Sequence, residues 1–541
     1  MKNDFRTWGP ILPLLILVLF STACVKQILP GRSMSSPAVA GETRLKELLG
    51  ALDKDLVTPM VVAPPVAVPE GAPMTLTLQD AVLTGLERNQ SFNVERLEPA
   101  ISRTGEEVEL AAFDPALTGS ASQTHGQETG GQSSLRSMLS NTGVSDDAET
   151  TRVGLGLSQA TTLGATVALN VDEAKQKSDV NDSSVKLGSW DLTVTQALLQ
   201  GRGPSVTLAR LRQSRLDTEM SLYEVQGAAE ALVSQIEQGY WDVVLAGRSL
   251  DIYEQSLAIA RQQVEEVVER IKVGVLAESE AAAAESEAAA RAEQLVTAKG
   301  ILVKARLNLL RMVNPAGPAD WQAVVVLPDV PELPPDMALD GVESHVSLAL
   351  AKRPDLNQAR LQVRRRDLDV VQTRNGLLPK LDLFVSLGGS RYTQSVSGTP
   401  DETDNQKAYA GGLTLELPLG NRAAKARHAA AGWSLDQAGH AMANMEQLVQ
   451  VDVRSAYVDV EQFLAQVKAA EATRVLREKT FAIEQEKFRL GRSTTLLVAQ
   501  AQRDMVASQI GQAEAVIGVR KALTSLYRLE GSLLSHRGVI P

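Results

Sequence analysis

"LERNQSFNVERL", Leu86 to Leu97, is echoed by "LAKRPDLNQARL", Leu350 to Leu361. Leu86, Asn93, Arg96 and Leu97 fall on Leu350, Asn357, Arg360 and Leu361 at one constant offset. The same offset runs on without a gap to Pro115, Leu117 and Ser122, which fall on Pro379, Leu381 and Ser386. A second block repeats as well. "YWDVV" at Tyr240 matches "YVDVE" at Tyr457, and that register places Gly274 on Gly491, Ala282 on Ala499 and Ala284 on Ala501. Repetition on this scale means that one structural unit is used twice.

Each half has one order: short helix, strand region, long helix, tip, return helix. The first repeat covers 75–313, with a strand region at 113–198 and a helical hairpin at 205–312. The second covers 341–531, with strands at 377–420 and a hairpin at 423–530. Residues 314–340 link them. That stretch begins "NPAGPADWQAVVVLPDVPELPPD", and its prolines block helix continuation. A tail follows at 532–541.

The long helices carry a readable period. Ala229, Ile236, Val243, Leu250, Leu257, Val264 and Ile271 recur at intervals of seven. A straight helix drifts by ~20° per heptad, so such a stripe makes neighbouring helices coil around each other. A helix from Ser205 to Ile271 would be ~100 Å long at ~1.5 Å per residue. The strand regions alternate instead. "RVGLGLSQATTLGATVALNVDE" reads as two alternating runs around Thr162–Gly164, a hairpin signal. "SWDLTVTQAL", "LLPKLDLFVSLGGSRY" and "AYAGGLTLELPL" alternate too. Transmembrane barrel strands need ~9–11 such residues. A small soluble sheet capping a helical bundle is the plainer alternative.

Charge and chemistry narrow the function. The 541 residues carry a net charge of −11 and only 4% aromatics. No basic run offers a face to phosphates, so nucleic acid is excluded as a partner. His125, His345, His428, His440 and His536 are scattered. None pairs at metal-ligand spacing, and no phosphate loop or nucleophile elbow occurs, so the chain does not read as an enzyme. Neither a metal nor a cofactor is expected.

The first 23 residues read as a signal peptide. Lys2 and Arg6 precede "ILPLLILVLF", Ile11 to Phe20, an apolar run too short to span a bilayer. "STAC" ends in Cys24, the only cysteine, so no internal disulfide forms. A lipidated Cys24 followed by a tether over 24–74 is one reading. A plain secretory signal with an incidental cysteine is the other.

These features together resemble the TolC-like outer-membrane efflux proteins, in their lipoprotein branch. The resemblance rests on "LTLQDAVLTGLERNQSF", "LPKLDLFVSL", "TVTQALLQGRG", "LELPLGNRAAKAR" and the two glycine tips, in that doubled order. Ala197 replaces a proline common in the family, and the first strand region holds an extra hairpin-like pair. The resemblance implies a mainly α fold with membrane β: a homotrimeric α-helical barrel of long coiled-coil hairpins joined to a β-barrel shared between protomers. The family's twelve strands are four from each chain, which the extra pair could raise. The resemblance also implies a passive exit duct in the outer membrane of a Gram-negative-type bacterium, extending into the periplasm. Its partners would be a periplasmic adaptor, an inner-membrane pump of an efflux or type I secretion system, and outer-membrane lipid. Covalent lipid on Cys24 is expected, with Val25 matching outer-membrane sorting.

The same resemblance makes Gly274, Val275, Leu276, Gly491, Arg492 and Ser493 adaptor-docking candidates. Helix-turn chemistry alone also explains the two glycines. Where some members carry an aspartate ring, this chain has Leu497 and Gln500, a candidate periplasmic gate of apolar and amide character. Ordinary packing of Leu497 between helices is the alternative. The acidic run Glu278, Glu280, Glu285 and Glu287 reads as a solvated face. A periplasmic coiled-coil adaptor, or a structural envelope lipoprotein without a pore, is the rival to the duct. Such an adaptor would have one hairpin, where this chain has two.

Overall fold

The computed structural model describes residues 74–128, 146–178, 183–314, 321, 325–326, 339–396 and 402–539. Cys24, the tether before Met74, and most of the linker lie outside the described residues. The first half begins with β1 (Met74–Thr75), α1 (Leu78–Arg88), α2 (Gln90–Glu95) and α3 (Glu98–Ala111). Four long strands follow: β2 (Ala116–Glu128), β3 (Asp146–Ala160), β4 (Ala165–Ser178) and β5 (Ser183–Ala197). The hairpin is α4 (Pro204–Thr207), α5 (Ala209–Lys272) and α6 (Ser279–Val313), before β6 (Val325–Val326). The second half has α7 (Val342–Lys352), α8 (Pro354–Asn375), β7 (Lys380–Val396), β8 (Glu402–Glu416), α9 (Arg422–Arg489), α10 (Thr495–Leu529) and α11 (Leu533–His536).

Two compact units result. One gathers residues 102–217 and 363–438, and the other gathers the described residues up to Ile101, Thr218–Gln362 and the chain from Gly439 onward. The first unit holds a six-stranded antiparallel sheet, in the order β2-β3-β4-β5-β7-β8. The first half supplies four of those strands and the second half two. The extra hairpin pair is therefore β3 and β4, and the strand count per chain rises above the four that the resemblance implies.

The opening helix of each half differs from the expected single element. It is broken at matching places. In the first half Asn89 ends α1 and its side chain caps α2, accepting from the Phe92 N–H at 3.1 Å. In the second half Pro354 follows Arg353 and starts α8, because proline fits a first turn but not a helix interior. The long outgoing helix starts at Ala209 rather than Ser205. Gly203 at φ 87 and the four-residue α4 precede it.

The second unit buries its heptad stripe. Ala229, Ile236, Val243 and Leu257 are buried, and Leu250, Val264 and Ile271 pack against the core. Backbones approach closely where residues are small. A Cβ on Gly239 would lie 2.4 Å from Met312 Cε, and one on Gly518 would lie 2.5 Å from Phe463. The tail is structural, since Leu533 and Leu534 of α11 are buried in the same core as Ile236 and Leu309. Glu237, fully buried, accepts from Arg537 Nε at 2.6 Å and from Thr524 Oγ1 at 2.7 Å. That pairing compensates the cost of removing a carboxylate from water.

Candidate functional site

The sheet has two chemically different faces. Leu117, Leu157, Leu169, Leu192, Leu387 and Tyr409 share one row across all six strands. The adjoining row on that face holds Leu155, Val171 and Trp190. Leu117, Leu155, Val171, Val194, Val385, Leu387, Tyr409 and Leu413 are all exposed. Water would penalise such a surface, whereas lipid would not. The other face is polar. There Asp191 accepts hydrogen bonds from Ser386 at 2.6 Å and Thr193 at 2.9 Å, and Asn170 lies opposite it.

The apolar band also slants. On β3 its upper members are Val153 and Leu155, on β5 Trp190, and on β7 and β8 Leu387 and Tyr409, two rows lower in register. Two rows are ~14 Å along a strand, and four strand steps are ~19 Å across. The ratio gives a tilt of ~35–40°, as a membrane barrel requires. Along β8 the band extends from Tyr409 to the exposed Leu415, ~20 Å of extended chain. At that tilt the height on this strand is ~16 Å.

Within the second unit, each half also has a tip between its two long helices. Both tips have the same hydrogen bonds. Gly274 N–H donates to Ile271 and Val275 N–H to Arg270, each at 2.9 Å. Gly491 N–H donates to Phe488 at 3.0 Å and Arg492 N–H to Lys487 at 2.8 Å. The glycines have φ values of 77 and 71. This pattern closes a helix C-terminus through a left-handed residue, which glycine adopts without steric cost. Val275 is exposed, whereas Leu276 packs against the core cluster that holds Val267, Phe481 and Val498. Arg492 is exposed, and Ser493 Oγ donates to Glu484 at 2.9 Å.

Leu497 and Gln500 lie in the first turns of α10, whose N-cap is Thr494. Leu497 is 48% exposed, and its neighbour Leu496 is 65% exposed. Val498, by contrast, is buried in the core. The expected solvated acidic face holds for Glu278 and Glu285, which are exposed. It does not hold for Glu287. That carboxylate pairs with the buried Arg291 and with Arg503 at 2.9 Å.

Arg270 escaped the sequence reading. Its guanidinium donates to the carbonyls of Phe488 at 2.8 Å and Arg489 at 3.2 Å, and lies 4.9 Å from the Phe488 ring centroid. One hairpin thus caps the helix end of the other, where carbonyls lack helical donors and a cation is favoured. The available signal was its repeat position, which matches Lys487 in the last turn of α9.

The model of the family described as "Outer membrane efflux protein" matches residues 345–532. Over that stretch the chain matches the TolC-like outer-membrane efflux family. Among curated members, it is 22% identical over 492 residues to outer membrane efflux protein BepC of Brucella suis, spanning 90% of this chain and 91% of that protein. Among solved structures, the chain resembles the Campylobacter jejuni CmeC outer membrane channel, with TM-score 0.62 and 16% identity over 88% of this chain and 95% of that one. The open-state MtrE outer membrane channel of Neisseria gonorrhoeae aligns with TM-score 0.57 and 18% identity, over 88% of this chain and 97% of that one.

Proposed function

We propose that this chain is the outer-membrane duct of a tripartite efflux or type I secretion system. One observation carries the proposal: a tilted six-stranded sheet with one apolar face has two open edges, at β2 and β8. A membrane forbids open edges. Identical copies around a cyclic axis close them. Six is even, so β8 of one copy meets β2 of the next antiparallel. Three copies, the number that family resemblance gives, close eighteen strands.

The helices favour the same assembly. Val296 and Val303 on α6 are exposed and seven residues apart, as are Val451 and Val458, and Leu476 and Ile483, on α9. Such unpartnered heptad stripes suit neighbouring helices of further copies. The duct is passive and no enzyme, its energy coming from an inner-membrane pump through a periplasmic adaptor. Gly274, Val275, Leu276, Gly491, Arg492 and Ser493 are the proposed docking surface. Leu497 and Gln500 form the proposed constriction, closing by contact and dewetting. Cys24 is the proposed lipid attachment site, tethering the chain to the outer membrane.

The test is conductance in planar lipid, together with an SDS-resistant oligomer in outer-membrane fractions. Leu497→Ala should raise the open probability. A folded, water-soluble monomer without conductance overturns the duct, and an unchanged open probability overturns the gate alone.

A further inference from the structure

The loop-side margin of the apolar face carries a line of cations. Lys175 on β4 and Lys186 on β5 are direct Cα partners. Arg391 on β7 and Lys407 on β8 continue the line, each one row lower than its predecessor. That descent follows the slant of the apolar band, so on a tilted sheet the four stand at about one height in the membrane. Lys177 lies beyond them on the same face. Glu173, one row below Lys175, and Glu149, opposite Lys177, are carboxylates of this margin. Glu149 takes a hydrogen bond from Gln123.

Two features of the line call for an external anion. Like charges directly opposite each other destabilise an antiparallel pair, and Lys175 faces Lys186 in that way. Among the described residues, no carboxylate lies within ion-pair distance of Lys175, Lys186, Arg391 or Lys407. Arg391 spends its Nε on the Asn405 amide at 3.0 Å and keeps the rest of its fork free. Between the cations stand hydroxyls and amides: Gln123, Thr151 and Thr393 share the lysine row, and Asn405 shares the row of Arg391. Below the row of Glu173 and Gly188 come Val171 and Trp190, and one row further Leu192.

We infer that this margin binds a phosphorylated glycolipid of the outer leaflet. The cations take its phosphates, the amides and hydroxyls take sugar hydroxyls, and the Leu, Val and Trp band takes its acyl chains. The inference rests on the duct reading, which puts the strand loops outside the cell. Phosphatidylglycerol offers one phosphate and no sugar. The paired lysines and the interleaved amides favour a headgroup with both.

The test uses the full-length, detergent-solubilised oligomer and native mass spectrometry. Bis-phosphorylated lipid A, its dephosphorylated form and phosphatidylglycerol are the probes. The parent should retain the bis-phosphorylated form about tenfold better than either other lipid, with retention falling as salt rises. The K175Q/K186Q/R391Q/K407Q variant should lose about tenfold in retention while keeping its SDS-resistant oligomer and its conductance. Lys380→Gln, on the opposite face, should retain lipid as the parent does. Equal retention of phosphatidylglycerol, salt-independent retention by the parent, or equal retention by the quadruple variant overturns the belt while conductance persists. A parent that neither oligomerises nor conducts overturns the duct reading, and the belt with it.

Discussion

Excising the β3–β4 hairpin should narrow the membrane pore without unmaking it. Leu117 and Leu192 already share a row through Leu157 and Leu169. Joining Glu128 to Ser183 by a short turn therefore brings β2 against β5 with the apolar sides aligned and the antiparallel sense kept. Each chain then contributes four strands instead of six. Strands are ~4.8 Å apart, and a tilt of ~40° widens each strand's share of the circumference to ~6.3 Å. Three parent chains give a backbone diameter of ~36 Å, and three excised chains ~24 Å. Side chains fill ~5 Å on each side, leaving openings of ~26 Å and ~14 Å. The assay is exclusion of graded polyethylene glycols added from the loop side during single-channel recording. The parent should admit polymers of nearly twice the diameter. The same cut-off in both proteins would refute the placement of β3 and β4 in the barrel wall. An excised chain that still oligomerises and shows twelve strands by electron microscopy would support it.

Other expectations concern the helical unit. Arg537→Ala leaves Glu237 buried with Thr524 as its remaining donor. Breaking a buried pair costs ~3–5 kcal/mol, and with the guanidinium 34% exposed we expect roughly 2 kcal/mol, read as a lower thermal midpoint. Glu237→Gln in the same background should recover part of that loss; no recovery would argue against an unpaired charge as the cause. Burial pushes Glu230 up from 4.5 to about 7. The folded state then holds a proton that the unfolded state has released, so stability falls as pH rises from 4.5 to about 7 and levels off above. The drop is about 3 kcal/mol, and Glu230→Gln should flatten it in denaturant titrations at several pH values. Gly274→Ala and Gly491→Ala force a side chain into the left-handed region, at about 1–2 kcal/mol each. Faster amide exchange at the tips should report the strain. Gly439→Ala, in open space within α9, should instead stabilise by about 0.5–1 kcal/mol.

Much of the fold was legible because its signals are local and doubled. Heptad spacing from Ala229 to Ile271 marks a buried stripe whatever the helix packs against, and Gly274 falling on Gly491 marks two equivalent turns. The breaks at Asn89 and Pro354 were harder to see. A single cap or proline within a short helical pattern weighs little until the flanking helices are placed. Arg270 and Glu287 were illegible for a different reason. Each is one charge among many on a helix, and its partners, Phe488 and Arg503, are more than two hundred residues away.

The amino-acid sequence by itself determined the repeat, the long hairpins, their tips and the alternation of the strands, because periods of seven and two are set by neighbours along the chain. Only the tertiary structure decided that six strands form one sheet, that its apolar band slants, and that Lys175, Lys186, Arg391 and Lys407 stand in line on one margin. Those facts depend on register between distant strands, and register is held by hydrogen bonds that no local period records.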